Sequence, residues 1–136
     1  MKTRVLYFSN KKKMKLFADI LCAKLEAKSD TIPPAYPCEN EKLVVVCVTL
    51  GKEVPDALRR FIREFSTQRA HNVAFVIDGP DTSSTILMNE AREAGTNVIA
   101  ETFTAVCGGL PFLGKVKPEE QKAIEEWIDR VLTELK

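Results

Sequence analysis

The sequence predicts a doubly wound α/β domain, a five-stranded parallel sheet with helices on both faces joined by right-handed crossovers. Three observations carry this. Short apolar runs alternate along the chain with segments whose apolar residues recur at helical spacing. Two of the runs, Leu43 to Leu50 and Asn72 to Ile77, are rich in apolar and β-branched residues, as strands buried on both faces are. The chain has 136 residues, 45% of them hydrophobic, which suits one domain, 1-136, around a single core.

The elements follow in order. Arg4 to Ser9 reads as the first strand, and Met14, Phe17, Leu21 and Leu25 form the stripe of the first helix. Thr31-Ile32-Pro33-Pro34 is short and ends in proline, which confines it to an edge strand. Leu43 to Leu50 is the central strand. A helix then carries Val54, Leu58, Phe61, Ile62 and Phe65, with Pro55 in its early turn. Asn72 to Ile77 gives the fourth strand and Asp78-Gly79-Pro80-Asp81 a turn. In the third helix Asp81, Thr82 or Ser83 is the expected cap, Ile86, Leu87, Ala91 and Ala94 the stripe, and Gly95 the stop. Val98 to Val106 is the last strand, broken by Gly108-Gly109-Leu110-Pro111. Pro118-Glu119-Glu120 opens a final helix with the acidic first turn that a helix dipole favours, and Ile124, Trp127, Ile128, Val131 and Leu135 form its buried face. Five strands in a chain of this length favour the order 2-1-3-4-5.

Composition removes several functions. Lys plus Arg (20) nearly balance Asp plus Glu (19), leaving a formal charge of +1. A nucleic-acid partner, which needs a basic face, is therefore not expected. No apolar run reaches the roughly 20 residues of a membrane-spanning helix. Met1-Lys2-Thr3-Arg4 leads into a strand and not into a signal-peptide core, so no membrane partner is expected and the expected location is cytoplasmic. The four cysteines, Cys22, Cys38, Cys47 and Cys107, form no CxxC, and His71 is the one histidine, which argues against zinc. Cys22 and Cys47 read as small apolar core residues. Cys38 and Cys107 fall near loops, where a thiol can be reactive.

The most distinctive segment is Ser9-Asn10-Lys11-Lys12-Lys13-Met14, between the first strand and the first helix. In this fold class the loop after the first strand is where helix amides meet an anionic ligand. Three lysines here sit at the positive end of a helix dipole, each disfavoured by ~0.3 to 1 kcal/mol when exposed, unless an anion binds. The alternative is that they extend into water. GxGxxG is absent after this strand, and no acidic residue ends the weak second strand, so a dinucleotide site is set aside.

Over nearly its whole length the chain resembles the flavodoxin family. The resemblance rests on the strand ending at Ser9, on Val44 to Thr49 followed by Gly51-x-x-x-Pro55-x-x-Leu58-x-x-Phe61, and on Asn72-Val73-Ala74-Phe75-Val76. It continues through Phe103-Thr104-Ala105-Val106-Cys107-Gly108-Gly109 to Glu126-Trp127-Ile128. It implies a non-covalently bound FMN, electron transfer and a redox partner protein. Carried over by position, it places the phosphate at Ser9, Asn10, Lys11, Lys12, Lys13 and Met14. The ring would lie near Thr49, Leu50, Gly51 and Lys52 on one side and Asp78, Gly79 and Pro80 on the other. Where the family has glycine and further hydroxyls, this chain has Lys11, Lys12 and Lys13, which neutralise phosphate as point charges and not through a tight amide nest. Neither ring loop contains an aromatic residue. Tyr36 and Phe112 fall in other loops, Phe112 being expected to tuck against the sheet edge.

Three functions therefore stay open. The first is an electron carrier with FMN at these residues. The second is a protein of the same fold that has lost FMN and binds another anion or a protein partner at the same face. The third is an enzyme using Cys107, with Asp78 or His71 as proton carrier; His71 lies at the far end of its strand, and Asp78 and Asp81 are also explained as turn and cap residues.

Overall fold

The computed structural model describes residues 1–110, 112 and 114–136. Its elements are β1 (Thr3–Phe8), α1 (Lys12–Leu25), β2 (Lys28–Thr31), β3 (Glu41–Thr49), α2 (Asp56–Arg63), β4 (Ala70–Asp78), α3 (Asp81–Glu93), β5 (Asn97–Val98), β6 (Phe103–Thr104) and α4 (Pro118–Thr133). All strand pairs are parallel, in the order β2-β1-β3-β4-β5, with β6 also paired to β4. The expected architecture and strand order are those observed.

β3 and β4 pair from Glu41↔Ala70 to Thr49↔Asp78, so both strands deliver their last residues to the same edge. Alternate residues of these strands point to opposite faces. Val45, Cys47, Ala74 and Val76 pack with Met14, Phe17, Leu21, Ile124, Trp127 and Ile128 of α1 and α4. Val44, Val46, Val48, Phe75 and Ile77 pack with Leu58, Ile62, Leu87 and Ala91 of α2 and α3. Both faces are dry, which is why these strands carry no polar alternation.

Several boundaries differ from expectation, each for a local reason. The strand expected over Val98 to Val106 is split into β5 and β6. The carbonyl of Glu101 turns out of the ladder to accept a bond from Trp127 Nε1 at 3.0 Å, and Arg130 clamps the Glu101 carboxylate at 2.7 Å. Helix α4 thus takes over the middle of the last strand. The strand expected over Thr31 to Pro34 lies earlier: β2 runs Lys28–Thr31 and stops before the prolines, at the edge of the sheet as expected. The connection from β2 to β3 carries no helix. It crosses the sheet face held by Arg4 Nη1 on the Tyr36 carbonyl at 2.8 Å, and it buries Ile32 and Cys38. α2 begins at Asp56, with Pro55 at the N-cap rather than inside the first turn. α3 has no side-chain cap, contrary to expectation; Pro80 holds that position and Ser83 is turned elsewhere. Phe112 is 69% exposed and does not tuck against the sheet. No helix among the described residues is long and apolar enough to cross a membrane.

Candidate functional site

The carboxyl ends of β1, β3 and β4 bring Ser9, Thr49 and Asp78 together. Ser9 Oγ accepts a bond from the Lys11 backbone N–H at 3.0 Å and shares a hydrogen with Thr49 Oγ1 at 2.7 Å. Thr49 Oγ1 in turn donates to Asp78 Oδ2 at 3.1 Å. Three strand ends are therefore linked by one polar chain, which follows from parallel register: each strand contributes the first polar residue after its apolar run.

Beside this chain lies an open cleft of about 430 Å³ lined by Tyr7, Phe8, Ser9, Asn10, Thr31, Ile32 and Thr49. Its size falls in the range of small-molecule sites. The cleft exists because β2 stops at Thr31, opposite Tyr7, and leaves the end of β1 without a neighbour on that side. Tyr7 and Phe8, read from the sequence only as strand residues, line it from opposite faces of the sheet, Tyr7 on the α1 side and Phe8 on the α2 side. What bears on them in the sequence lies in another element, Pro33-Pro34 after β2, and not in the residues around Tyr7.

The loops after β3 and β4 are strapped to each other. The Leu50 N–H donates to the Asp78 carbonyl at 2.7 Å, and Ser83 Oγ donates to the Gly51 carbonyl at 2.7 Å. Gly79, at φ +153°, lies so close to Leu50 that a Cβ there would stand 2.5 Å from the Leu50 carbonyl oxygen. Leu50 is buried, whereas Gly51, Lys52, Gly79 and Pro80 face solvent. Open volume therefore adjoins Ser9, Asn10 and Thr49, while Leu50, Gly51, Lys52, Asp78, Gly79 and Pro80 form the strapped side.

The lysine run divides three ways. Lys11 Nζ donates to the Gly109 carbonyl at 2.8 Å, reaching across to the loop after β6. Lys12 is exposed and borders a separate groove between α1 and α4. Lys13 is buried; its ammonium pairs with Glu120 at 2.8 Å and stands 5.9 Å from the Phe17 ring centroid. The Met14 side chain is fully buried among core residues, which leaves its backbone N–H, in the first turn of α1, as the part of Met14 that can face a ligand. No side chain caps α1, so its first-turn amides have neither an intrahelical acceptor nor a cap.

The thiols are poorly placed for nucleophilic chemistry. Cys38 and Cys107, expected in loops as candidates for reactivity, are both buried. Burial, then the charge of Asp78 and a hydrogen bond to it, pushes the Cys107 thiol up to about 12. Burial also raises Cys38. A nucleophilic thiol needs the opposite shift. His71 Nε2 is bonded to Asn40 Oδ1 at 2.8 Å at the amino end of β4, away from Asp78. Among the described residues no cluster of His, Cys, Asp and Glu could hold a metal ion.

No family model and no curated protein matches the sequence. Solved structures do match over nearly the whole chain. A short-chain flavodoxin associated with a PDU bacterial microcompartment superposes with a TM-score of 0.66 at 12% identity, covering 98% of each chain. A flavodoxin from the domain Archaea gives 0.67 at 13% identity, again over 98% of each chain. Oxidised flavodoxin 2 from Bacillus cereus gives 0.69 at 12% identity, over 99% of this chain and 100% of its own. The protein thus has a flavodoxin-like fold.

Proposed function

We propose that the carboxyl edge of this sheet binds FMN and that the protein carries electrons between redox partner proteins. What supports the reading most is the juxtaposition at the end of β1: the uncapped N-terminus of α1, which follows directly on Ser9 and Asn10 and opens with two lysines, beside a cleft lined by Tyr7, Phe8 and Ile32. The two halves fit the two halves of the ligand. Backbone amides and lysines suit a phosphate, and an apolar, partly aromatic wall suits a planar ring. Bound FMN supplies reversible one- and two-electron chemistry. The protein's part is to hold the phosphate at the amides that open α1, with Lys11 and Lys12 as countercharge, to orient the ring by Tyr7 and Phe8, and to limit its contact with water. Asn10, exposed and lining the cleft, would be a further polar contact in this reading.

A second reading has its own observation. The strap from Leu50 to Asp78 and from Ser83 to Gly51 holds together the two loops that the resemblance assigns to the ring. This favours a protein of the same fold that has lost FMN and takes another anion, or a protein partner, at the same edge.

One titration separates the two. FMN fluorescence is followed while purified protein is added, and the visible spectrum of the purified protein is recorded. Quenching with a micromolar dissociation constant and a yellow protein support the electron carrier. A colourless protein that leaves FMN fluorescence unchanged at micromolar concentrations overturns it in favour of the flavin-free reading.

A further inference from the structure

The polar chain at the sheet edge has a direction. A carboxylate only accepts hydrogen bonds, so the Thr49 hydroxyl hydrogen points to Asp78, as the 3.1 Å contact requires. With its own hydrogen spent, Thr49 Oγ1 accepts from Ser9 at 2.7 Å. Ser9 Oγ in turn accepts from the Lys11 N–H at 3.0 Å. Every hydrogen in the series therefore runs from the α1 loop towards Asp78. Two donors that an oxyanion at this loop would use, the Ser9 hydroxyl and the Lys11 amide, are already committed inside the protein.

We infer that Asp78, acting through Thr49, is a specificity-determining residue that withholds the Ser9 hydroxyl from oxyanions and leaves Ser9 and Thr49 as hydrogen-bond acceptors towards the cleft. The consequence rests on the proposed ligand site. A phosphate there is held by the first-turn amides of α1 and by Lys11 and Lys12 without help from Ser9. A ligand group that carries N–H or O–H donors is favoured where it meets Ser9 and Thr49. Asp78 is a positioning residue in this account: it touches Thr49 and need not touch the ligand. Simple repulsion between Asp78 and an anion would act whether or not Thr49 carries a hydroxyl, and the relay would not.

Substitution at Thr49 separates the two, because Thr49→Val keeps the Asp78 charge and removes the relay. A hydrogen bond to a charged group is worth enough to change affinity about tenfold or more. Dissociation constants for FMN and for inorganic phosphate are measured by calorimetric titration for wild type, T49V, Thr49→Ser and Asp78→Ala, with circular dichroism as the check on folding. T49V is expected to bind phosphate and FMN about tenfold more tightly than wild type, and T49S, which keeps the hydroxyl, to restore the wild-type values. Should T49V not fold, Thr49→Ala reads the same loss. Gain in D78A alone, with none in T49V, assigns the effect to charge and overturns the relay. Phosphate binding no tighter in T49V than in wild type, or seen in neither, also overturns it. Wild type that ignores FMN while T49V gains phosphate affinity defeats the electron-carrier reading and leaves the relay supported.

Discussion

Lys13 and Glu120 form a 2.8 Å ion pair across the seam between α1 and α4, with only 11% and 23% of their side chains exposed. The pair resolves a conflict visible in the sequence. A lysine in the first turn of α1 faces the positive end of that helix, and the acidic first turn of α4 supplies the countercharge.

Glu120→Gln therefore leaves a nearly buried ammonium without its countercharge and is expected to cost about 1 to 3 kcal/mol. Lys13→Met, which removes the cation and fills its volume, is expected to cost less. Burial raises the Glu120 pKa, but the Lys13 hydrogen bond and the Lys117 N–H outweigh it, so the net value is lowered from 4.5. A depressed carboxylate contributes stability that is complete above its unfolded pKa and lost as pH falls through its folded one. The difference in urea midpoint between wild type and E120Q is expected to hold from pH 8 to 6 and to shrink below about pH 4.5. A difference that grew on acidification would remove the pair from the account.

Lys11 and Lys12 are the two lysines of the run outside the Glu120 ion pair, Lys11 Nζ resting on the Gly109 carbonyl and Lys12 exposed beside the α1–α4 groove. If FMN phosphate sits at the α1 N-terminus, Lys11→Ala with Lys12→Ala is expected to weaken FMN binding and to flatten its dependence on salt, since two screened charges are lost. Lys13→Met should leave the salt slope unchanged. The check is the dissociation constant measured between about 20 and 300 mM salt, on either side of the ~10 Å screening length at 0.1 M. Equal slopes in wild type and the double variant would make these lysines bystanders.

The layers and strand order were legible because they rest on burial: Val44 to Val48 and Val73 to Ile77 are apolar throughout, and nothing but a doubly covered sheet accommodates them. The same order brings Ser9, Thr49 and Asp78, named from the sequence, together at the carboxyl ends of their strands, where ligands gather in this fold class. What escaped were long-range pairings. Nothing near Lys13 announces Glu120, nothing near Thr102 announces that Trp127 will draw the Glu101 carbonyl out of the last strand, and no local pattern marks Tyr7 and Phe8 as cleft residues. Each depends on where a distant element packs. Met14 shows a local pattern that did suffice: its helical spacing with Phe17 and Leu21 announces a core side chain, and the side chain is there.

Gly79 is the point of closest approach in the strap between the ring loops. At φ +153° and with the Leu50 carbonyl 2.5 Å from any added Cβ, Gly79→Ala combines backbone strain with a backbone clash. We expect a loss of about 2 kcal/mol or more. Gly51 stands in the partner loop with nothing within 4 Å of an added Cβ, so Gly51→Ala is expected to be nearly neutral. Thermal melts of the two variants test the contrast. Equal melting temperatures would mean that the strap yields without cost, and the ring loops would then be free to separate around a ligand.

Glu90 holds α2 to α3 through two guanidinium groups, Arg63 Nε at 2.7 Å and Arg59 Nη2 at 2.6 Å. The Arg63 hydrogen bond, followed by that of Arg59, pulls its carboxyl down to about 2. An ordinary glutamate is mostly protonated by pH 3, whereas Glu90 in the folded protein keeps its charge there. The stability it contributes is complete above the ordinary carboxylate range and is given up only as pH falls from about 4.5 towards about 2. Glu90→Gln is thus expected to lower the urea midpoint at pH 7 by an amount that persists at pH 5, narrows through pH 3 and closes near pH 2. Arg63→Ala, which removes the largest contributor, should shift that narrowing to higher pH without abolishing it, because Arg59 remains. A gap already closed at pH 5, or unchanged down to pH 2, would show that the two arginines do not hold this carboxylate. The α2–α3 layer, which covers the sheet face behind the strapped loops, would then owe its stability to Leu58, Ile62, Leu87 and Ala91 alone.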